Sequence, residues 1–217
     1  MTGVPGSGLK GPRQDRLLLE RMASGMSRAA PARPRGNSCG LPFAARRVHT
    51  PGMSNDPIRI VVTGGTFDKH YDEIRGELTF KESHLPEILK LTRVTVPVEI
   101  EQDQLIDSLQ MQDANRRSIL EACTRARESR IIVTHGTDTM AETARVLGPV
   151  GLEKTIVLTG AMIPYKIMGS DALFNFGTAF TAVQLLPKGV WIVMNGRVFQ
   201  WDKVRKNKAL GVFEEIA

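Results

Sequence analysis

The sequence predicts an α/β fold with a mostly parallel sheet and helices on both faces of the sheet. Short apolar segments alternate with segments of helical periodicity between residues 58 and 194. The run 131–133 is continuously apolar, as expected of a strand that is covered on both faces. Helix signals follow it at once, because Asp138 or Thr139 can cap a helix that ends before Gly148. Strands that alternate with helices favour parallel pairing through right-handed crossovers.

The rest of the chain continues this alternation. We expect further strands at 58–63, 94–100, 155–159, 190–194 and 198–201, and helices near 85–89, at 115–130 and after Ser170 or Asp171. Pro97 favours an edge position for its strand, and Asn195-Gly196 predicts a tight hairpin turn. The last helix is indicated by four residues that repeat with helical spacing: Phe174, Thr178, Ala182 and Leu186. Residues 67–83 are charged and aperiodic, and predict a loop long enough to act as a lid.

The positive charge of the chain belongs to its N-terminal segment. Residues 1–52 hold nine basic and two acidic residues, a net +7, whereas the remainder holds 20 basic and 21 acidic residues. Because the segment is rich in Gly, Pro, Ser and Arg, we predict a disordered tail at 1–52 and one α/β domain at 53–217. The tail resembles a transit peptide in composition, or reflects a start site assigned upstream of Met53. The near-neutral remainder gives no reason to expect nucleic acid as a partner.

Cysteine content and hydropathy limit the cellular compartments in which the protein is expected. The chain has two cysteines, Cys39 and Cys123, which is too few for a disulfide framework or a cysteine metal site. No apolar run approaches the roughly 20 residues that a membrane-spanning helix needs. The four histidines lie far apart and show no ligand spacing. We therefore expect a soluble, cytoplasmic protein without a membrane partner, a metal or another cofactor.

Three predicted strands end in threonine with glycine beside it, in the sequences T-G-G-T, T-H-G-T and T-G-A. Parallel strands bring such ends to one edge of the sheet, so Thr66, Thr137, Asp138 and the turn around Ala161 could converge there. A threonine hydroxyl becomes a nucleophile when a neighbouring base takes its proton, and glycine-flanked backbone N–H groups can stabilise an oxyanion. Threonine and glycine at strand ends are also common as simple caps and turns, so the spacing leaves both interpretations open.

Four motifs carry a resemblance to a known family: T-G-G-T-F at 63–67, V-T-H-G-T-D-T-M-A-E-T at 133–143, L-T-G-A-M-I-P at 158–164 and S-D-A-L-F-N at 170–175. In this order they resemble the bacterial L-asparaginases, which are threonine amidohydrolases. The resemblance covers about residues 58 to 208. It implies the Rossmann-like or flavodoxin-like N-terminal domain of that family. It also implies a short form without the smaller C-terminal domain, and a homo-oligomer.

The resemblance also implies roles for individual residues. Thr66 would be the nucleophile, and Thr137, Asp138 and a lysine would form the second catalytic group. The family's lysine follows a strand that ends in Met-Asn, which points to Lys206, with Lys203 as the second candidate. Tyr71 is the one tyrosine available for the family's loop tyrosine.

Substrate contacts are implied in the same way. They would come from Asp107, Ser108, Asp138 and Ala161. In the segment D-S-L-Q-M, Leu109 replaces a polar residue that helps the family grip the α-carboxylate, which suggests weaker substrate binding.

These observations lead to one expected activity and two alternatives. We expect hydrolysis of L-asparagine to L-aspartate and ammonia through a threonyl acyl-enzyme. A glutaminase or another amidase of the same family is the first alternative. A non-catalytic amino-acid-binding domain is the second, although simple binding would not require both Thr66 and Thr137.

Overall fold

The computed structural model describes residues 56–216, so the predicted tail at 1–52, its boundary at Met53 and Cys39 lie outside the described residues. Within 56–216 the chain forms ten strands: β1 (Ile58–Gly64), β2 (Lys69–Asp72), β3 (Glu77–Phe80), β4 (Val98–Ile106), β5 (Arg130–Thr134), β6 (Thr155–Thr159), β7 (Gly189–Met194), β8 (Arg197–Gln200), β9 (Val204–Asn207) and β10 (Val212–Glu215). The α-helices of the same range are α1 (Leu85–Leu91), α2 (Asp113–Arg125), α3 (Met140–Leu147) and α4 (Ala172–Leu185). None of the described helices is long and apolar enough to cross a bilayer.

The centre of the fold is a six-stranded sheet in the order β4-β1-β5-β6-β7-β8. The first five strands in this order pair in parallel, and β8 pairs antiparallel with β7. Asn195 and Gly196 join these last two strands with φ angles of 56° and 73°, the left-handed conformation of the predicted hairpin turn. The predicted mostly parallel α/β architecture is therefore confirmed.

Both faces of the sheet are covered by helices, because the central strands are apolar on both sides. Ile131 and Val133 of β5 face the helices α2 and α3, while Ile132 of the same strand faces α1 and α4. The two core clusters that result lie on opposite faces of the sheet and share no residue. This arrangement leaves the carboxyl ends of the parallel strands together at one edge.

Two predicted elements differ from the structure at their boundaries. β4 lies at the sheet edge, as Pro97 predicted, but it begins at Val98 rather than at Val94. The backbone N–H of Val94 instead closes the end of α1 on the carbonyl of Leu89, after Arg93 adopts a positive φ of 54°. Helix α2 ends at Arg125, several residues earlier than its periodicity suggested.

The four residues with helical spacing in and directly after α4 mark its buried face only in part, since Ala182 is buried and Leu186 packs against the core. Phe174 is 62% exposed, whereas Phe176, Ala179 and Val183 are buried against the sheet. The helix is apolar on nearly all sides, so its periodicity could not distinguish the inner from the outer face.

The segment expected to be an aperiodic lid forms an antiparallel hairpin of β2 and β3. Its base is held by Asp68, whose buried Oδ1 accepts hydrogen bonds from Ser83 Oγ and from the backbone N–H of His84, both at 2.9 Å. Among the described residues, Asp68 Oδ2 has no hydrogen-bond partner. Burial is the main reason that the pKa of Asp68 is raised to about 6, against the opposing effect of these hydrogen bonds.

The raised pKa of Asp68 predicts a pH-dependent contribution to the free energy of unfolding. The unfolded carboxyl loses its proton near pH 4 and the folded one near pH 6, so the folded state holds more protons between these values. This contribution is complete below about pH 4 and is lost as the pH rises through about 6. The substitution Asp68→Asn removes it and keeps a carbonyl acceptor for both hydrogen bonds.

We therefore expect the stability of Asp68→Asn, relative to the unsubstituted protein, to increase as the pH rises from 4 to 6.5. Urea unfolding of both proteins at several pH values measures this difference in the free energy of unfolding. The titration of the other groups affects both proteins equally and therefore cancels in the difference. A difference that is constant with pH would contradict the assigned cause.

Candidate active site

Three turns meet at the carboxyl edge of the sheet, and glycines allow them to touch. A Cβ on Gly65 would lie 2.3 Å from the backbone nitrogen of Gly136, and a Cβ on Gly136 would lie 2.4 Å from Ser108 Oγ. A Cβ on Gly160 would lie 2.2 Å from the carbonyl oxygen of His135. The turns after β1, β5 and β6 are therefore packed backbone to backbone, and the turn after β5 also packs against the Ser108 side chain.

Thr66 is the residue after Gly65, which makes this contact. Gly64 and Gly65 have φ angles of 92° and 76°, which turn the chain sharply at the end of β1. Thr66 then begins the short 3₁₀ turn Thr66–Asp68 and is half-buried. Phe67, the next residue, is fully buried in the core, so the turn is anchored on the side away from the site.

Thr137, Asp138 and Lys206 form one hydrogen-bonded group. Lys206 Nζ donates to Thr137 Oγ1 and to Asp138 Oδ1, both at 2.8 Å. The side chain of Lys206 is only 9% exposed, that of Asp138 is 34% exposed, and Thr137 is buried. An ammonium group with so little access to water depends on these two partners.

Lys206 reaches this position on the β9–β10 hairpin, for which the sequence pattern predicts no strands. Lys203, the second candidate for the lysine, is exposed, and its backbone N–H donates to the carbonyl of Gln200. The geometry thus brings Lys206, and not Lys203, to Thr137 and Asp138.

Asp107 and Ser108 lie at the end of β4 beside Gly136. Asp107 Oδ1 accepts from the backbone N–H of Leu109 at 3.0 Å, and Oδ2 pairs with Lys69 Nζ at 2.6 Å. Burial opposes ionisation of Asp107, but the bonds to Lys69 and Leu109 outweigh it and lower the pKa of the carboxyl. Ser108 is buried, and its carbonyl accepts from Thr139 Oγ1 at 2.9 Å.

Lys69 was missed by the sequence interpretation. Its position, three residues after Thr66 in a segment dense with charge, did not distinguish it from a solvated lysine. The structure shows that the Lys69–Asp107 pair joins the hairpin to the segment that carries Ser108.

Tyr71 and Ala161 occupy different environments at this edge. Tyr71 lies on β2, opposite Leu78, and is 59% exposed. Ala161 is fully buried in the turn after β6. Its neighbour Met162 contacts the candidate site directly, because Thr137 Oγ1 lies 3.4 Å from Met162 Sδ.

A second set of polar residues fixes the turn after β6. Ser170 or Asp171 is expected to cap α4, and Ser170 Oγ accepts from the backbone N–H of Ala172 at 3.1 Å. The Asp171 carboxylate instead accepts from the backbone N–H groups of Met162 and Ile163, at 3.0 Å. Asn175, buried within α4, donates from Nδ2 to the carbonyl of Gly160 at 3.0 Å. Asn175 is the last residue of the S-D-A-L-F-N motif, but an asparagine inside an apolar helix has no characteristic spacing, so the motif did not indicate its contact with Gly160.

His135 has a structural environment. Its ring is fully buried, Nδ1 lies 2.8 Å from the carbonyl oxygen of Gly136, and Nε2 lies 2.8 Å from Thr143 Oγ1. Burial lowers the pKa of His135 to about 4, so the ring is neutral at pH 7. These contacts make His135 a hydrogen-bonded residue of the turn after β5. Within residues 56–216, no group of His, Cys, Asp and Glu is arranged to hold a metal ion.

The chain is similar to proteins of one family along most of its described length. The family model described as Asparaginase, N-terminal matches residues 57–214. L-asparaginase 2 of Escherichia coli (strain K12) is 39% identical over 85 residues, which cover 37% of this chain and 24% of that protein. L-asparaginase 1 of the same organism is 27% identical over 169 residues, which cover 73% of this chain and 50% of that protein.

Solved structures show the same similarity. The thermostable L-asparaginase from Thermococcus kodakarensis aligns with a TM-score of 0.67 and 26% identity, over 74% of this chain and 51% of that chain. This chain spans about half the length, or less, of these relatives. Because the family model matches well over half of the sequence, the chain belongs to the asparaginase family, and it corresponds to the N-terminal domain of that family.

Proposed function

We propose that this protein is an amidohydrolase that converts L-asparagine to L-aspartate and ammonia. The observation that carries the proposal is the group formed by Lys206 with Thr137 and Asp138, with both hydrogen bonds at 2.8 Å. A nearly buried lysine between a threonine hydroxyl and a carboxylate is suited to proton transfer. A simple binding site for an amino acid has no need for such a group beside a second threonine.

Thr66 is the nucleophile in this proposal. Its Oγ attacks the carbon of the side-chain amide. Lys206, once it has released its own proton and is a neutral amine, takes up the hydroxyl proton. The same group returns a proton to the leaving nitrogen, so the amide bond breaks, ammonia departs and an ester with Thr66 remains. Water then hydrolyses the ester and restores the threonine hydroxyl. The backbone N–H groups of the packed glycine turns are candidates to stabilise the oxyanion.

The proposed contacts with the substrate begin with the carboxylate of Asp138. Asp138 is one-third exposed and accepts Lys206 through Oδ1, which leaves Oδ2 available for the α-ammonium group of the substrate. Ser108 and Asp107 line the neighbouring segment, and Ala161 lies in the turn that faces Thr137 through Met162. Tyr71 would have to reach the substrate from the exposed hairpin, so in this proposal the hairpin closes over bound substrate.

Glutamine is the second candidate substrate. The glutaminase-asparaginase of Acinetobacter glutaminasificans is 38% identical over 80 residues, which cover 35% of this chain and 24% of that protein. The two substrates differ by one methylene, and an apolar pocket discriminates by only about 1–3 kcal/mol per methylene. Ammonia release from both substrates, measured side by side, determines the preference.

Substitution of either threonine should abolish ammonia release from L-asparagine. Thr66→Ala removes the nucleophile, and Thr137→Val removes the hydroxyl that Lys206 contacts while it keeps the side-chain shape. The matched control is Thr95→Ala, which truncates an exposed threonine distant in sequence from both motifs. Activity should survive in the control, and circular dichroism should show all three variants folded. Full activity in Thr66→Ala would refute the assigned nucleophile.

The two candidate lysines provide a sharper comparison. Lys206→Met should lower kcat by about 10²- to 10⁴-fold, the usual contribution of a group that transfers protons. Lys203→Met should leave kcat unchanged, because Lys203 is exposed and its side chain lies outside the hydrogen-bonded group. Steady-state ammonia assays on the two variants decide between them. Equal losses, or a loss confined to Lys203→Met, would show that the Lys206 group is not the proton-transfer group.

A further inference from the structure

Lys206 lies on a hairpin that is separate from the six-stranded sheet. The strands β9 and β10 pair only with each other among the described strands, and Lys206 is directly opposite Phe213 in their register. Phe213 and Val204 anchor this hairpin in the core through their buried side chains. Apolar burial alone is not directional, so it does not define the position of a lysine nitrogen within a few tenths of an ångström.

Asn195 supplies a directional contact to this hairpin. Its side-chain Oδ1 accepts a hydrogen bond from the backbone N–H of Phe213 at 3.2 Å. Since Phe213 is the cross-strand partner of Lys206, the bond acts on the hairpin at the level of the lysine.

The same asparagine is tied to the opposite side of the candidate site. Its backbone N–H donates to Asn175 Oδ1 at 3.1 Å, and Asn175 Nδ2 donates to the carbonyl of Gly160 at 3.0 Å. Asn175 is 1% exposed and also donates to Asp171 Oδ2 at 2.8 Å, so its amide orientation is defined by all three contacts. A continuous series of hydrogen bonds thus runs from the Gly160 turn through Asn175 and Asn195 to Phe213.

The turn by itself does not require the asparagine side chain. Asn195 has a φ of 56°, a conformation that asparagine tolerates and that glycine adopts freely. A Gly-Gly pair would form the same two-residue hairpin turn between β7 and β8. The hydrogen bond to Phe213 is therefore an additional role of the side chain, which can be removed without removing the turn.

We propose that Asn195 is a positioning residue that holds Lys206 against Thr137 and Asp138. The proposal rests on the proposed function of Lys206 and adds the residue that sets its place. Without the Asn195 side chain, the Phe213 N–H loses its acceptor. The start of β9 stays bonded to Arg145, which donates to the carbonyl of Val204 at 2.9 Å, but the part of the hairpin that carries Lys206 and Phe213 can shift. A displacement of about 1 Å at a catalytic group can lower kcat by about 100-fold.

Two variants of Asn195 separate the turn from the hydrogen bond. Asn195→Gly keeps the positive φ and loses the acceptor, whereas Asn195→Asp keeps both the tolerated φ and an oxygen for the Phe213 N–H. We expect kcat for L-asparagine to fall by about 10- to 100-fold in Asn195→Gly, with KM little changed, and to be largely retained in Asn195→Asp. Equal kcat losses in the two variants, or none in Asn195→Gly, would overturn the proposal.

A second measurement reports on Lys206 without any turnover. In protein labelled with ¹³C at the lysine ε carbon, the Lys206 resonance is assigned by its disappearance in Lys206→Arg. We expect this resonance to move towards the position of solvated lysines in Asn195→Gly and to stay in place in Asn195→Asp. An unchanged resonance in Asn195→Gly would contradict the proposal. If the unsubstituted protein hydrolyses no amide, the proposed function fails, and the resonance still decides whether Asn195 positions Lys206.

Discussion

The close backbone contact between Gly65 and Gly136 is the constraint on which the candidate site depends. A Cβ on Gly65 would overlap the backbone of Gly136, because the turn after β1 packs directly on the turn after β5, and a Cβ on Gly136 would overlap Ser108. This contact brings Thr66 beside the Thr137 turn and leaves backbone N–H groups from both turns at the same edge. Parallel pairing of β1 with β5 sets the two strand ends side by side, and the glycines allow the turns that follow these strands to touch.

Two ion pairs also help to organise the candidate site. Two partly buried ion pairs, Lys206–Asp138 and Lys69–Asp107, lie at this edge, and each links a hairpin to a strand end of the sheet. Partly buried pairs of this kind are costly to break, because one charge is then left without a partner away from water. The pairs therefore fix two peripheral hairpins on a rigid sheet. In the proposed function this places a proton-transfer group on the β9–β10 hairpin. The Lys69–Asp107 pair holds the base of the β2–β3 hairpin, and only the part beyond this base moves to cover the substrate.

Much of this organisation could be predicted from local patterns. The strands around 58–63 and 131–134, the parallel sheet and the Asn195-Gly196 turn follow from periodicity and turn chemistry, which depend on neighbours in sequence. The hairpin of β2 and β3 could not be predicted, because it is held by Asp68 against Ser83 and His84, far along the chain.

The same reasoning applies to the candidate site. Thr66, Thr137 and Asp138 stand in glycine-flanked strand ends, and this local signal places them together. Lys69 looks ordinary in sequence, since its role comes from a contact with Asp107 that only the folded chain creates. Asn175 belongs to the S-D-A-L-F-N motif, but its contact with Gly160 also appears only in the folded chain. For the same reason, the choice of Lys206 over Lys203 needed the register of the β9–β10 hairpin.

The central claim is that Thr66 is the nucleophile of an amidohydrolase, and covalent trapping tests it most directly. A diazoketone analogue of asparagine places an electrophilic carbon where the amide of the substrate would lie. After incubation and proteolysis, mass spectrometry should find the label on the peptide that contains Thr66, and excess L-aspartate should protect against labelling. Label on Thr137 instead, or none on either threonine in a protein that hydrolyses asparagine, would contradict the account.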